Sequence, residues 1–146
     1  MITIELMKME HIDDVYEIEC ASFPLPWSKR DFVKELTENK LALYIVARCD
    51  GVIAGYAGMW HIVNEGHITN VAVAEAWRKR GVGDLLVTRL LALAVEKGMV
   101  GVTLEVRMGN VRAMSLYAKH GFKPEGIRKG YYTDTNEDAV IMWKWF

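Results

Sequence analysis

One stretch constrains this chain more than any other: Arg78-Lys79-Arg80-Gly81-Val82-Gly83-Asp84, set directly before an apolar run that reaches Leu93. Val82, Leu86, Leu90 and Leu93 recur at helical spacing, which predicts a helix beginning between Gly81 and Gly83. The segment from His67 to Val73 reads as a strand, so the chain passes from strand to helix through three cations and two glycines. The first turn of a helix leaves backbone N–H groups without partners, and the macrodipole makes that end partly positive. Glycines let such amides converge and let an anion approach without meeting a Cβ. With Arg78, Lys79 and Arg80 beside them, the arrangement suits a pyrophosphate. A second reading stands next to it, in which the cations are a solvated surface run and the glycines only shape a turn. The loop is not the lysine-containing P-loop, and Leu86 occupies the place of the third glycine in G-x-G-x-x-G.

The chain of 146 residues reads as a single domain over its whole length, 1–146, with room for a core; 51% hydrophobic and 25% charged residues are those of a soluble globular protein. A formal net charge of −1 argues against nucleic-acid binding through bulk electrostatics. Cys20 and Cys49 are too few for a disulfide framework or a zinc site, which points to a reducing cytosol, and Cys20 reads as a small buried hydrophobe. The longest apolar run, Leu41–Ala47, is too short to span a bilayer, and Met1 to Glu5 lacks the regions of a signal peptide. A cytoplasmic protein with no membrane partner is expected. His11, His61, His67 and His120 have no metal-ligand spacing, so no metal is expected, and no Ser or Cys sits in a nucleophile elbow.

In order, Ile2 to Leu6 alternates as a strand, and Ile12, Val15, Tyr16 and Ile18-Glu19 follow helical spacing and predict a helix over Glu10–Ala21. Phe23-Pro24-Leu25-Pro26-Trp27 forces an extended loop. Ser28 is suited to cap a second helix, with Asp31 completing a capping box. Leu41–Arg48 and Val52–Val63 form a hairpin about Asp50-Gly51, and Glu65-Gly66 reads as a second tight turn. Gly55 and Gly58 mark close approaches. After the long helix, closed by Gly98, Val100–Arg107 is a strand with Val102, Leu104 and Val106 on one face and Thr103, Glu105 and Arg107 on the other. Asn110 caps a helix through Tyr117 that ends at His120-Gly121, and Phe122–Tyr132 and Ala139–Phe146 are two last strands. The predicted class is α/β: a mixed, mostly antiparallel sheet flanked by helices.

Several residues admit two readings. Glu105 is either an exposed position on a half-solvated sheet or a carboxylate facing a cleft, and Tyr117 is either core packing or an acid facing that cleft. Trp27, Tyr131 and Tyr132 are either aromatic cover or the walls of a binding groove, where rigid rings give contact area at low entropy cost.

Taken together, Asn70-Val71-Ala72-Val73, Arg78-Lys79-Arg80-Gly81-Val82-Gly83, Leu104-Glu105-Val106-Arg107, Asn110, Leu116-Tyr117 and Gly121-Phe122 resemble the GCN5-related N-acetyltransferases (GNAT) over essentially the full chain. The specific element is the R/Q-x-x-G-x-G/A loop, matched at Arg78, Gly81 and Gly83. Phe23-Pro24, Trp27-Ser28, Arg128-Lys129-Gly130-Tyr131-Tyr132 and Glu137-Asp138-Ala139 look like the ribosomal-protein-alanine N-acetyltransferases within that superfamily. Ala74-Glu75-Ala76-Trp77 stands where Asp-Pro-x-Tyr is common, and Gly109 where Ser is usual; both concern turn shape.

The resemblance implies a splayed central sheet, with acetyl-CoA as cosubstrate between the Val71–Val73 and Thr103–Arg107 strands. The pyrophosphate would meet the amides of Arg80, Gly81, Val82, Gly83 and Asp84, the pantetheine the backbone of Val71, Ala72 and Val73, and Asn110 would bond near that arm. Glu105 would act as general base and Tyr117 as general acid, with Trp27, Tyr131 and Tyr132 against the acceptor. The implied acceptor is a protein or peptide N-terminus, in particular that of a small-subunit ribosomal protein. Two rival readings are an acetyltransferase for a small-molecule amine and a non-catalytic acyl-CoA sensor.

Overall fold

The structure, a computed structural model, describes residues 1–146. Seven segments are strands: β1 (Ile2–Leu6), β2 (Ala42–Cys49), β3 (Val52–Ile62), β4 (Glu65–Val73), β5 (Gly101–Arg107), β6 (Lys123–Tyr132) and β7 (Glu137–Trp145). Four are α-helices: α1 (Ile12–Ser22), α2 (Lys29–Thr37), α3 (Val82–Glu96) and α4 (Val111–Lys119). The strands make one sheet in the order β1-β2-β3-β4-β5-β7-β6. Every neighbouring pair is antiparallel except β4 and β5. This is the mixed, mostly antiparallel α/β sheet expected. No helix is long and apolar enough to cross a membrane.

Local chemistry accounts for many of the boundaries. Asp50 and Gly51 both adopt positive φ (50° and 81°), the signature of a two-residue turn that follows the twist of its strands. Ser28 Oγ accepts from Asp31 N–H at 3.1 Å while the Asp31 carboxylate accepts from Ser28 N–H at 2.9 Å, so α2 begins on a reciprocal cap. Gly98 closes α3 at φ 77°. The second hairpin departs from expectation. Its turn is Val63-Asn64, with Val63 at φ 57°, and Glu65-Gly66 already belongs to β4. Gly66 is there because a Cβ would lie 2.7 Å from the Met59 sulfur and 2.9 Å from that of Met99. Cys20 is also corrected: it is exposed, and Cys49 is the buried one.

The sheet separates two cores. Leu86, Val87 and Leu90 of α3 pack with Val102, Leu104 and Val106 of β5 on one face. Burying each such side chain stabilises the fold by about 1.5–3 kcal/mol. On the other face Ile12, Val15 and Ile18 of α1 and Phe32 of α2 pack on Tyr44, Val46 and Tyr56.

Candidate functional site

Strands β4 and β5 share only three paired positions, Glu65–Gly101, Gly66–Val102 and His67–Thr103. The register of β3 against β4 then slips, Met59 facing Ile68 but Gly58 facing Asn70, so Thr69 is an extra residue in β4. Such a bulge bends its strand and sharpens the twist. Beyond it β4 and β5 are no longer paired, which opens a gap at the end where both strands lead into helices.

Main-chain groups line one bank. Ala74 N–H donates to Ala54 O at 2.7 Å. By the alternation of an antiparallel ladder, the amides and carbonyls of Val71 and Val73 therefore face away from β3 and into the gap, while those of Ala72 face β3. Arg78 Nε donates to Val73 O at 3.2 Å, leaving Val71 N–H, Val71 C=O and Val73 N–H open along this edge.

The basic loop follows. A short 3₁₀ turn, Glu75–Trp77, leads to Lys79 at φ 63° and Gly81 at φ 82°, either side of Arg80. Backbone alternating in hand this way turns amides toward a common point. Gly81 has no side chain to cap α3, and the first bond of the helix is Leu85 N–H to Gly81 O at 3.1 Å. The amides of Val82, Gly83 and Asp84 are thus the unpaired first-turn donors. Arg80 stacks over Trp77 at 5.1 Å. The Asp84 carboxylate is drawn to Lys119 Nζ and His120 Nε2, 3.0 Å from each. The Lys119 hydrogen bond holds it below its ordinary pKa, against partial burial. Lys119 thereby offsets the one negative charge on a turn otherwise suited to an anion. Asn110 Oδ1 caps α4 through Ala113 N–H at 3.1 Å, which leaves its Nδ2 donor uncommitted to that cap.

On the other bank, Glu105 projects from β5 opposite Leu104 and Val106, hence toward the α1/α2 face. It is 30% exposed and accepts from Arg128 Nε at 3.3 Å. Tyr117 lies across β5, buried beside Phe122 at 5.7 Å. Burial raises its pKa, and the neighbouring Tyr132 adds to the rise. Tyr132 itself is pushed up to about 12, by burial first and then by Tyr131, with Glu105 and Glu137 also raising it and Arg107 opposing. Tyr132 therefore sits within electrostatic reach of both Glu105 and Tyr117, which belong to opposite faces of the sheet.

Tyr131 and Tyr132 form an edge-to-face pair at 5.1 Å. Their hairpin is fastened to β5: Arg107 meets both Asp134 carboxylate oxygens at 3.0 Å, covers the Tyr132 ring at 4.1 Å and lies 3.6 Å from Glu137, which also accepts from Gly109 N–H at 2.7 Å. Trp27 belongs to a different wall. It packs on Phe32 (5.4 Å) and Tyr44 (6.4 Å) and lines, with Glu35 and Trp60, a groove of about 530 Å³ beside α2.

One buried charge went unread in the sequence. Glu19 of α1, 2% exposed, accepts from the Tyr56 hydroxyl, from Trp27 N–H at 2.9 Å and from Asn70 Nδ2 at 3.4 Å. Three donors and no acceptor are the pattern of an ionised carboxylate. An interior carboxylate costs on the order of several kcal/mol unless such bonds offset it. Ile12, Val15 and Glu19 stand at i, i+3 and i+7, so a charge on the inward face of α1 was the available signal.

A splayed sheet with free main-chain donors on one bank, and an open helix N-terminus at its mouth, defines a class. The chain belongs to the acetyltransferase (GNAT) family, whose pattern matches residues 12–122, and it is an acetyl-CoA-dependent N-acetyltransferase of that type. It is 47% identical over 137 residues to a Bacillus subtilis (strain 168) protein provisionally named a ribosomal protein bS18-alanine N-acetyltransferase, covering 94% of this chain and 91% of that one. The crystal structure of the ribosomal-protein-S18-alanine N-acetyltransferase from Escherichia coli superposes with a TM-score of 0.89 at 30% identity, covering 98% of this chain and 92% of that one. Arabidopsis thaliana NAA60, solved in complex with acetyl-CoA, shares the fold with a TM-score of 0.88 at 17% identity, covering 100% of this chain and 99% of that one.

Proposed function

We propose that this enzyme acetylates the N-terminal α-amine of a protein, with ribosomal protein bS18 the first acceptor to try, and that Glu105 and Tyr117 carry the proton transfers. The observation that carries the reading is the gap itself: the main-chain groups of Val71 and the Val73 N–H open on one bank, a half-buried carboxylate on the other. The names of the Bacillus and Escherichia relatives support the acceptor class.

The amides of Val82, Gly83 and Asp84, with Arg78, Lys79, Arg80 and Gly81, would hold the pyrophosphate of acetyl-CoA. Val71 and Val73, with Asn110, would align its pantetheine, while Ala72 between them spends its main-chain groups on β3. An α-amine has a pKa near 7.7–8.0, so much of it is protonated at neutral pH and cannot attack. Glu105 takes that proton, directly or through a water, once the incoming ammonium replaces Arg128 as its ionic partner. As nitrogen bonds to the acyl carbon, a backbone N–H near Val71–Val73 would face the charge that gathers on the thioester oxygen. The C–S bond then breaks, and Tyr117, kept protonated by its burial, supplies the proton to the departing thiolate. Trp27 on one side and Tyr131 and Tyr132 on the other would flank the acceptor. The chemistry needs no metal, no nucleic acid and no covalent enzyme intermediate, and the expected location is the cytoplasm.

The test is CoA release from acetyl-CoA with a panel of alanine-first peptides, other peptides and small amines. Turnover with the alanine-first peptides is the expected result. Turnover confined to polyamines or other small amines overturns the acceptor assignment, and tight acyl-CoA binding without turnover on any amine overturns catalysis.

A further inference from the structure

Glu19 is a buried charge that the proposed chemistry leaves unused, and its bonds run to three separate parts of the fold. Its main-chain carbonyl accepts from Phe23 N–H at 3.0 Å, while its side chain accepts from Trp27 N–H at 2.9 Å. One residue thus holds both ends of the loop Phe23–Trp27, whose two prolines leave few main-chain donors of its own. The other carboxylate oxygen receives the Tyr56 hydroxyl from β3 and the Asn70 amide from β4. Asn70 stands at the bulge, and its Oδ1 accepts from Thr69 Oγ1 at 2.7 Å. Since the Thr69 proton is spent there, the Tyr44 hydroxyl donates to Thr69 at 3.1 Å, and every proton in the chain points toward Glu19.

No cation accompanies this carboxylate; its partners are neutral. An apolar side chain at the same place would fill the core without charge desolvation, so packing does not account for a carboxylate there. What a carboxylate does, and an apolar group cannot, is fix the spacing of donors from different elements.

We propose that Glu19 is a positioning residue for the acceptor: its carboxylate registers the Phe23–Trp27 loop against the bulge of β4 and so sets the width of the acceptor side of the gap. The inference rests on the reading of that loop as an acceptor wall.

Glu19→Gln tests it. Glutamine brings an N–H₂ where the carboxylate had an oxygen, so at least one of Trp27, Tyr56 and Asn70 faces a donor with a donor. With an alanine-first peptide that the wild type acetylates, measured well below the melting temperature, the peptide KM should rise about tenfold or more while the acetyl-CoA Kd stays within about twofold. Exchange of the Trp27 amide proton should quicken at least about tenfold. A merely structural role would lower the melting temperature and leave KM where it was, and that outcome overturns the proposal. Should Glu19→Gln fail to fold, Tyr56→Phe decides, because it keeps the ring and removes one donor: a raised peptide KM supports the proposal and a wild-type KM overturns it. Trp27→Ala separates this inference from its premise. A wild-type peptide KM in Trp27→Ala removes the loop from the acceptor site and the proposal with it. A raised KM there, beside a wild-type KM in Glu19→Gln, overturns the role of Glu19 alone.

Discussion

The two faces of the sheet are built on different plans. Between the sheet and α3/α4 lies a cluster of twenty buried side chains without a charge among them, and the groups offered to a cofactor beside it are main-chain amides. Between the sheet and α1/α2 the cluster is half that size, ten residues, and it is crossed by the polar chain from Tyr44 through Thr69, Asn70 and Glu19 to Tyr56 and Trp27. A close-packed apolar face deforms little and can hold backbone donors in place without side-chain help. A buried polar chain gives directional constraints that depend on every member being present. The α3/α4 side should therefore be sensitive to changes of packing and backbone, and the α1/α2 side to the loss of any one polar group.

Glu105 and Tyr117 straddle that division, which makes them the hardest test of it. Glu105→Gln is expected to lower kcat by about 10²–10⁴-fold with acetyl-CoA affinity intact, and unchanged turnover would remove the carboxylate from the base role. Tyr117→Phe should fall at the lower end, about 10²-fold, because the thiolate is a tolerable leaving group unaided. Full activity would show that chemistry is confined to the α1/α2 side.

Gly83→Ala probes the main-chain side alone. Its Cβ would meet Leu116 at 3.4 Å, an ordinary contact, so the fold should keep its melting temperature. A ligand lying on the Gly83 amide would lose close approach, and calorimetry should read an acetyl-CoA Kd raised about tenfold. Unaltered affinity would place the pyrophosphate elsewhere.

Gly58→Ala probes the polar side. Its Cβ would run into the Tyr44 ring, displacing the hydroxyl from Thr69 next to the bulge. Overpacking of this kind costs about 1–3 kcal/mol, a loss of several degrees in Tm for a domain of this size. A stable variant with normal peptide KM would show that the bulge does not need Tyr44.

The smallest effect is in pH. Tyr132 is raised to about 12 in the folded protein against about 10 unfolded. Between those values the unfolded chain has lost a proton the folded one retains, so stability present below pH 10 declines as pH rises through about 12. Tyr132→Phe should flatten part of that decline in alkaline thermal melts, and an unchanged slope would assign it to other groups with raised values, among them Tyr44, Tyr56 and Tyr117, which burial also raises.

The same division governs what could be read from residues alone. The turn at Asp50-Gly51, the cap at Ser28 and Asp31, and the open helix start at Gly81 are settled by neighbours within a few positions, so local rules reach them. Val63 is a β-branched residue at positive φ, which local rules disfavour, and Gly66 answers to Met59 and Met99 rather than to a turn. Glu19 has its donors 8, 37 and 51 positions away, and Glu105 finds Arg128 23 positions on. No pattern of spacing carries such partners. The basic glycine loop could be read because Arg78 to Asp84 form one continuous stretch; the polar chain around Glu19 could not, because it is assembled from separate stretches of the sequence.

The bond from Arg78 to the carbonyl of Val73 has a consequence for anything that lies along that strand. An edge whose groups all stood open would accept an extended chain in several registers, each two residues from the next, and the chain could slide. With its last acceptor already taken, this edge is a ruler with a stop at one end. A flexible arm laid against it would find fewer registers open, so its tip would arrive over a narrower range of depths.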